Sequence, residues 1–185
     1  MRFFLFAVIF HLTFFGVSAQ SKSDSTTTIT WTKYIILNEK NQILLRFDKN
    51  FKDWELPGCG YDGPISFKNL MDSLSIYIGF NYKDYKLSGL FSYSKPGKYR
   101  AIIKPYFIAR FNGYRNSNSF NDTINTKWMA LDLAIKSIPY PTMTMILEQL
   151  TKFPEFIWGG SFQEYNYNQP GGTKWKIIEP LYKLN

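Results

Sequence analysis

The spacing of apolar residues changes period along this chain, and each change marks an element. TKYIILNEKNQILLRFD, Thr32 to Asp48, holds two short apolar runs around the polar, turn-rich NEKNQ, which predicts a β-hairpin. WELPG, beginning at Trp54, reads as a turn. From Ser66 to Gly79 the period lengthens. Phe67, Leu70, Met71, Leu74 and Ile78 repeat at i, i+3 and i+4, so one face of a helix is buried, with Ser66 as its N-cap and Gly79 as its stop.

YKLSGLFSYS and YRAIIKPYFIARF predict two strands around the turn KPGK. Pro105 lies inside the second. A proline cannot donate to a ladder, so that strand is expected to be an edge or to carry a bulge there. After a polar loop, KWMAL predicts a short strand and DLAIKSI a short helix. Thr142 is expected to cap a further helix whose inner face is Met143, Ile146, Leu147 and Leu150. The tail from Phe153 onward reads as aromatic and irregular, with Trp158-Gly159-Gly160 as an exposed turn that closes the fold. Strands and helices mixed in one unit predict an α/β (α+β) fold, a sheet covered by helices.

The ends and the composition narrow the function. Arg2, the apolar FFLFAVIF and the small residues Val17 and Ala19 predict a signal peptide over residues 1–19. A flexible leader over 20–30 and one domain over 31–185 would come next. The alternative for the first segment is an uncleaved anchor, although the run is short for a span. Cleavage implies export, to the periplasm or beyond, and leaves no membrane-spanning segment. Cys59 is the only cysteine and His11 the only histidine. The mature chain would then lack Ser-His-Asp and Cys-His machinery, histidine-held zinc and internal disulfides. The net charge is +8, or one less without Arg2. An anionic small molecule or an envelope protein is the expected partner. Nucleic acid is not expected, because the basic residues form no run. Asn121-Asp122-Thr123 would be a glycosylation acceptor only in a eukaryotic secretory pathway.

The order of elements resembles the Nudix hydrolases. IILNEKNQILLRFD, WELPG and the helix ending in Gly79-Phe80 are similar to that family's core. LSGLFSYS, IIKPYFIARFNG, TKWMALDLAIKSIP and MTMILEQLTKFPEFIWGGSF are similar to the family's later strands, connection and late helix. The resemblance spans roughly residues 31 to 165 by element pattern. It implies a mixed sheet sandwiched between helices. The family hydrolyses a diphosphate linked to another group. Its signature is G-x5-E-x7-R-E-U-x-E-E-x-G-U, with U apolar. The helical glutamates meet on one face and hold magnesium or manganese, which activate water.

Set on this chain, the signature places its first glycine on Gly58 and its early glutamate on Pro64. Its arginine falls on Asp72, and its helical glutamates on Ser73, Ile76 and Tyr77. Gly79 keeps the last glycine. The frame is present and every charged member is replaced, so the resemblance implies a degenerate box. No cofactor is then expected, and magnesium or manganese would enter only with a rebuilt site. Weak metal candidates are Asp62 and Asp72, with Glu148 and Glu164 as further carboxylates. A face carrying Ile76 and Tyr77 is expected to be packed or to touch an apolar ligand.

By the resemblance, Arg46 and Glu55 would face the cleft; the bland alternative pairs Arg46 with Glu55 or Asp48. Trp54, Tyr77, Tyr106 and Trp158 could form an aromatic floor or simply core. Three functions stay open: an exported, non-catalytic binding protein; a diverged hydrolase of a nucleoside-diphosphate-linked or other phosphorylated compound; and an interaction protein of the cell envelope.

Overall fold

The computed structural model describes residues 29–61, 65–97, 101–115, 125–165 and 174–185. Asp62, Pro64, the Asn121-Asp122-Thr123 triplet and the expected signal segment lie outside these residues.

The predicted hairpin forms as β1 (Ile29–Leu37) and β2 (Ile43–Asp48). β1 begins inside the expected leader. Asn41 takes a positive φ of 54°, and the Asn38 side chain accepts from the Lys40 and Gln42 amides, so the turn is closed by its own polar residues. The WELPG expectation needs correction. β3 (Asp53–Glu55) pairs with β2, and β4 (Gly58–Tyr61) pairs with β1. Only Leu56 and Pro57 connect them.

Helix α1 (Phe67–Ile78) matches its prediction. Strands β5 (Phe80–Ser94) and β6 (Ile102–Tyr114) come next, then β7 (Thr126–Met129), α2 (Leu131–Ser137) and α3 (Pro141–Lys152). The N-cap of α3 is Tyr140. Thr142 is not the cap, because Pro141 starts the helix one position after Tyr140. Thr142 is instead buried. The tail is not irregular: it forms β8 (Trp158–Tyr165) and β9 (Lys174–Lys183), paired antiparallel. Trp158-Gly159-Gly160 is therefore a buried strand segment rather than an exposed turn. A Cβ on Gly159 would lie 2.7 Å from the Tyr182 ring, so the glycine admits a side chain from the neighbouring strand.

The strands run β3-β2-β1-β6-β5-β8-β9, with β4 also on β1 and β7 also on β2. β1–β6 and β5–β8 are parallel and the other pairs antiparallel. β6 is interior, so Pro105 is not on an edge. Nor does β6 carry the bulge: the extra residue is on β5, between Leu87 and Gly89 opposite Phe107 and Tyr106, and Pro105 stands in register with Leu90.

Alternation along the strands builds two cores. Ile35, Tyr106 and Ile108 face α2 and α3, meeting Ala134, Met143, Ile146, Leu147 and Leu150. Tyr34, Ile36, Phe107 and Ala109 face α1, meeting Met71, Leu74 and Ile78. The helices thus sandwich a mixed sheet, as predicted.

Candidate functional site

The sequence of α1 fixes how it sits. The Ser66 hydroxyl accepts from the Asn69 amide, and Gly79, at φ 88°, returns its N–H to the Ser75 carbonyl. Leu70, Met71, Leu74, Ser75 and Ile78 are buried. With that face committed, Ser73, Ile76 and Tyr77 share the outward one. All three are exposed, Ile76 by 60% and Tyr77 by 51%. At i, i+3 and i+4 this face carries a hydroxyl, an alkyl group and a phenol. Of the two expectations for Ile76 and Tyr77, the packed one is not met, because Leu70, Met71, Leu74 and Ile78 already fill the inner side.

Asp72 is the one carboxylate on α1. It accepts from Lys68 Nζ at 2.7 Å and from Tyr82 Oη at 2.5 Å. These two donors hold its carboxyl below the usual range. Burial, then Asp72, pushes the Tyr82 phenol up to about 12. Behind it, Ser75 Oγ donates to the Asp72 carbonyl at 2.8 Å and accepts from Arg115 Nη2 at 3.1 Å. Arg115 Nε donates to the Phe80 carbonyl at 3.1 Å, tying the end of β6 to the end of α1.

A hard divalent cation takes six or so oxygen ligands, usually including several carboxylates. The outward face of α1 offers no carboxylate at Ser73, Ile76 or Tyr77, and Asp72 is engaged by Lys68 and Tyr82. Among the described residues no group of three or more His, Cys, Asp or Glu could hold a metal. The residues on α1 do not fit magnesium or manganese. Glu148 is exposed on α3, across the sheet from Asp72. Glu164, on β8, faces Lys104 Nζ at 3.5 Å.

The bland alternative for Arg46, a pairing with Glu55 and Asp48, is what forms. Arg46 and Glu55 stand opposite each other on β2 and β3, and Arg46 Nη2 donates to Glu55 Oε1. Asp48 Oδ2 lies 3.7 Å from the same guanidinium. The residue that sequence reasoning missed is Lys33. Its ammonium, buried beneath this pair, donates to Glu55 Oε2 at 2.6 Å and to the Leu56 carbonyl at 3.2 Å. Burial lowers the Lys33 pKa, against the opposing pull of Glu55. Gly58 is required by the same close approach: a Cβ there would lie 2.3 Å from the Thr32 carbonyl oxygen and 2.8 Å from Lys33 Cδ. Arg46 Nε is buried and has no hydrogen-bond partner among the described residues. Cys59, on β4, has its thiol pKa raised by burial, which disfavours a thiolate nucleophile.

The aromatic floor does not form. Tyr106 and Trp158 are buried in the core under α3, Trp54 packs at that core's margin against Phe47, and Tyr77 points outward from α1. Tyr93, the neighbour of Tyr106, meets a second, part-buried charge. Lys104 Nζ lies 3.6 Å from the centre of the Tyr93 ring and faces Glu164. Burial lowers the Lys104 pKa and raises those of Tyr93 and Tyr106.

The sequence matches no protein-family model and no curated protein. Solved structures do match. The mutator MutT protein of Bacillus halodurans aligns with a TM-score of 0.62, at 18% identity, over 82% of this chain and 99% of that one. A Nudix hydrolase from Nitrosomonas europaea aligns with a TM-score of 0.54, at 10% identity, over 68% of this chain and 89% of that one. At such identities the likeness establishes the fold: this chain is a Nudix-like α+β domain.

Proposed function

We propose that this chain is an exported Nudix-like protein that binds a ligand or an envelope partner without the diphosphate hydrolysis of the Nudix enzymes. The observation that carries the reading is the outward face of α1. Ser73, Ile76 and Tyr77 hold the i, i+3, i+4 geometry between Gly58 and Gly79 and supply no carboxylate. The box is degenerate in chemistry and kept in shape.

The binding groups of this reading are Arg46, Glu55 and Trp54. Arg46 presents a planar guanidinium whose side chain is 21% exposed, which suits an oxygen of an anionic small molecule. Export rests on the N-terminal pattern of Arg2, FFLFAVIF and Ala19.

The alternative is a diverged hydrolase with a rebuilt metal site, which the Nudix-like fold favours. Asp72 and Glu148 lie on helices packed against opposite faces of the sheet, which counts against their sharing an ion. The test uses the chain from Gln20 with nucleotide sugars, dinucleoside polyphosphates and nucleoside triphosphates. Magnesium or manganese is added, and products are read by mass spectrometry. The expected result is no turnover above a protein-free control. Metal-dependent turnover that Asp72→Ala abolishes would establish the diverged hydrolase instead.

A further inference from the structure

The sheet ends at β9, which among the described residues pairs only with β8. Exposed apolar side chains gather at this edge: Ile177, Ile178, Tyr182 and Leu184, with Leu90 close by. Leu90 pairs with Gly159, and Gly159 with Tyr182, so Leu90 and Tyr182 lie in one row across three strands. Ile177 stands opposite Phe162, on the face toward α3, and Tyr182 opposite Gly159 on the other face. Apolar groups therefore rim the edge on both sides. Lys174, Lys176 and Lys183 share the strand with one acid, Glu179.

A bare edge ordinarily invites another strand. This one carries the features that prevent it. Pro180 has no N–H to give, the register shifts on either side of Ser161, and lysines occupy both ends. A second copy paired edge to edge would also bring the lysine-rich strands together. A cationic rim of exposed Ile, Leu and Tyr, closed to strand addition, has the composition that settles at a lipid headgroup boundary.

We propose that β9 docks this protein onto an anionic bilayer surface. The lysines meet the headgroups, and Ile177, Ile178 and Tyr182 enter the boundary. This surface is independent of the ligand reading above.

The test is co-sedimentation with vesicles of phosphatidylcholine alone and of phosphatidylcholine with phosphatidylglycerol. The chain begins at Gln20, so that the apolar FFLFAVIF run does not itself bind lipid. Binding is expected only with the anionic vesicles and is expected to weaken with added salt. Lys174→Gln, Lys176→Gln and Lys183→Gln together should weaken it by about 100-fold, at about fivefold per lysine. Ile178→Ser should weaken it while leaving the circular dichroism unchanged. No binding, equal binding to both vesicles, or full binding by the folded triple variant would each overturn the proposal. So would a stable dimer that buries β9 and ignores vesicles.

Discussion

Glu55→Gln should destabilise this protein more than Lys33→Met. Lys33 Nζ and Glu55 Oε2 are 2.6 Å apart, with side chains 5% and 13% exposed. At an effective dielectric of about 20, that distance gives roughly 6 kcal/mol of gross attraction. Desolvating each ion costs several kcal/mol, so the pair contributes little net. Removing one partner is another matter, because the survivor stays buried. In Glu55→Gln, Lys33 loses its nearest counter-charge and still feels the like charge of Arg46. The cost is about 3–5 kcal/mol, the usual figure for a broken buried pair. In Lys33→Met the alkyl packing against Gly58 remains, and Glu55 keeps Arg46. That variant should lose about 1–2 kcal/mol. Lys33→Met with Glu55→Gln should recover part of the larger loss. Urea unfolding of the four proteins measures this cycle. A Glu55→Gln cost no larger than that of Lys33→Met, or two losses that simply add, would contradict a coupled, buried Lys33–Glu55 pair.

Gly58→Ala should cost about 3 kcal/mol in the same assay, because the added Cβ meets the Thr32 backbone oxygen, which cannot swing aside. Ser66→Ala should cost about 1 kcal/mol through the lost cap on Asn69. Alkaline pH should destabilise the fold. Tyr82, Tyr93, Tyr106 and Tyr140 all have raised pKa values, chiefly through burial, with Tyr82 at about 12. Their contribution is complete below the ordinary phenol value of 10.0 and is lost as pH rises, since the unfolded chain releases these protons first. Lys33 and Lys104, with lowered values, act in the opposite sense only up to their ordinary 10.5. The urea midpoint should therefore fall between about pH 10.5 and about pH 11.5. An unchanged midpoint would contradict the burial of these phenols.

Much of the fold could be read from local pattern, and the exceptions have physical causes. The hairpin and α1 were legible because turn residues, caps and apolar period agreed within a few positions. β8 and β9 were not, because Gly159 and Gly160 look like a turn until Tyr182 and Leu181 arrive from the next strand to occupy the space. Thr142 looked like a cap beside a proline that in fact starts the helix. In the site, the Arg46–Glu55 contact was legible as the bland alternative to the cleft role that the resemblance implies. Lys33 was not. A lysine in a strand reads as a solvated side chain, and its burial depends on a carboxylate 22 positions away. Arg115 was missed for the same reason: its partners, Ser75 and Phe80, are distant in sequence.

The most direct test of the central claim is manganese binding to the chain from Gln20, monitored by loss of the free-ion electron paramagnetic resonance signal. The comparison is a variant carrying Ser73→Glu, Ile76→Glu and Tyr77→Glu, positions exposed enough to accept the change. The natural chain should show no saturable binding and the variant new binding, because its carboxylates would share one helical face. Saturable, stoichiometric binding by the natural chain would contradict that claim.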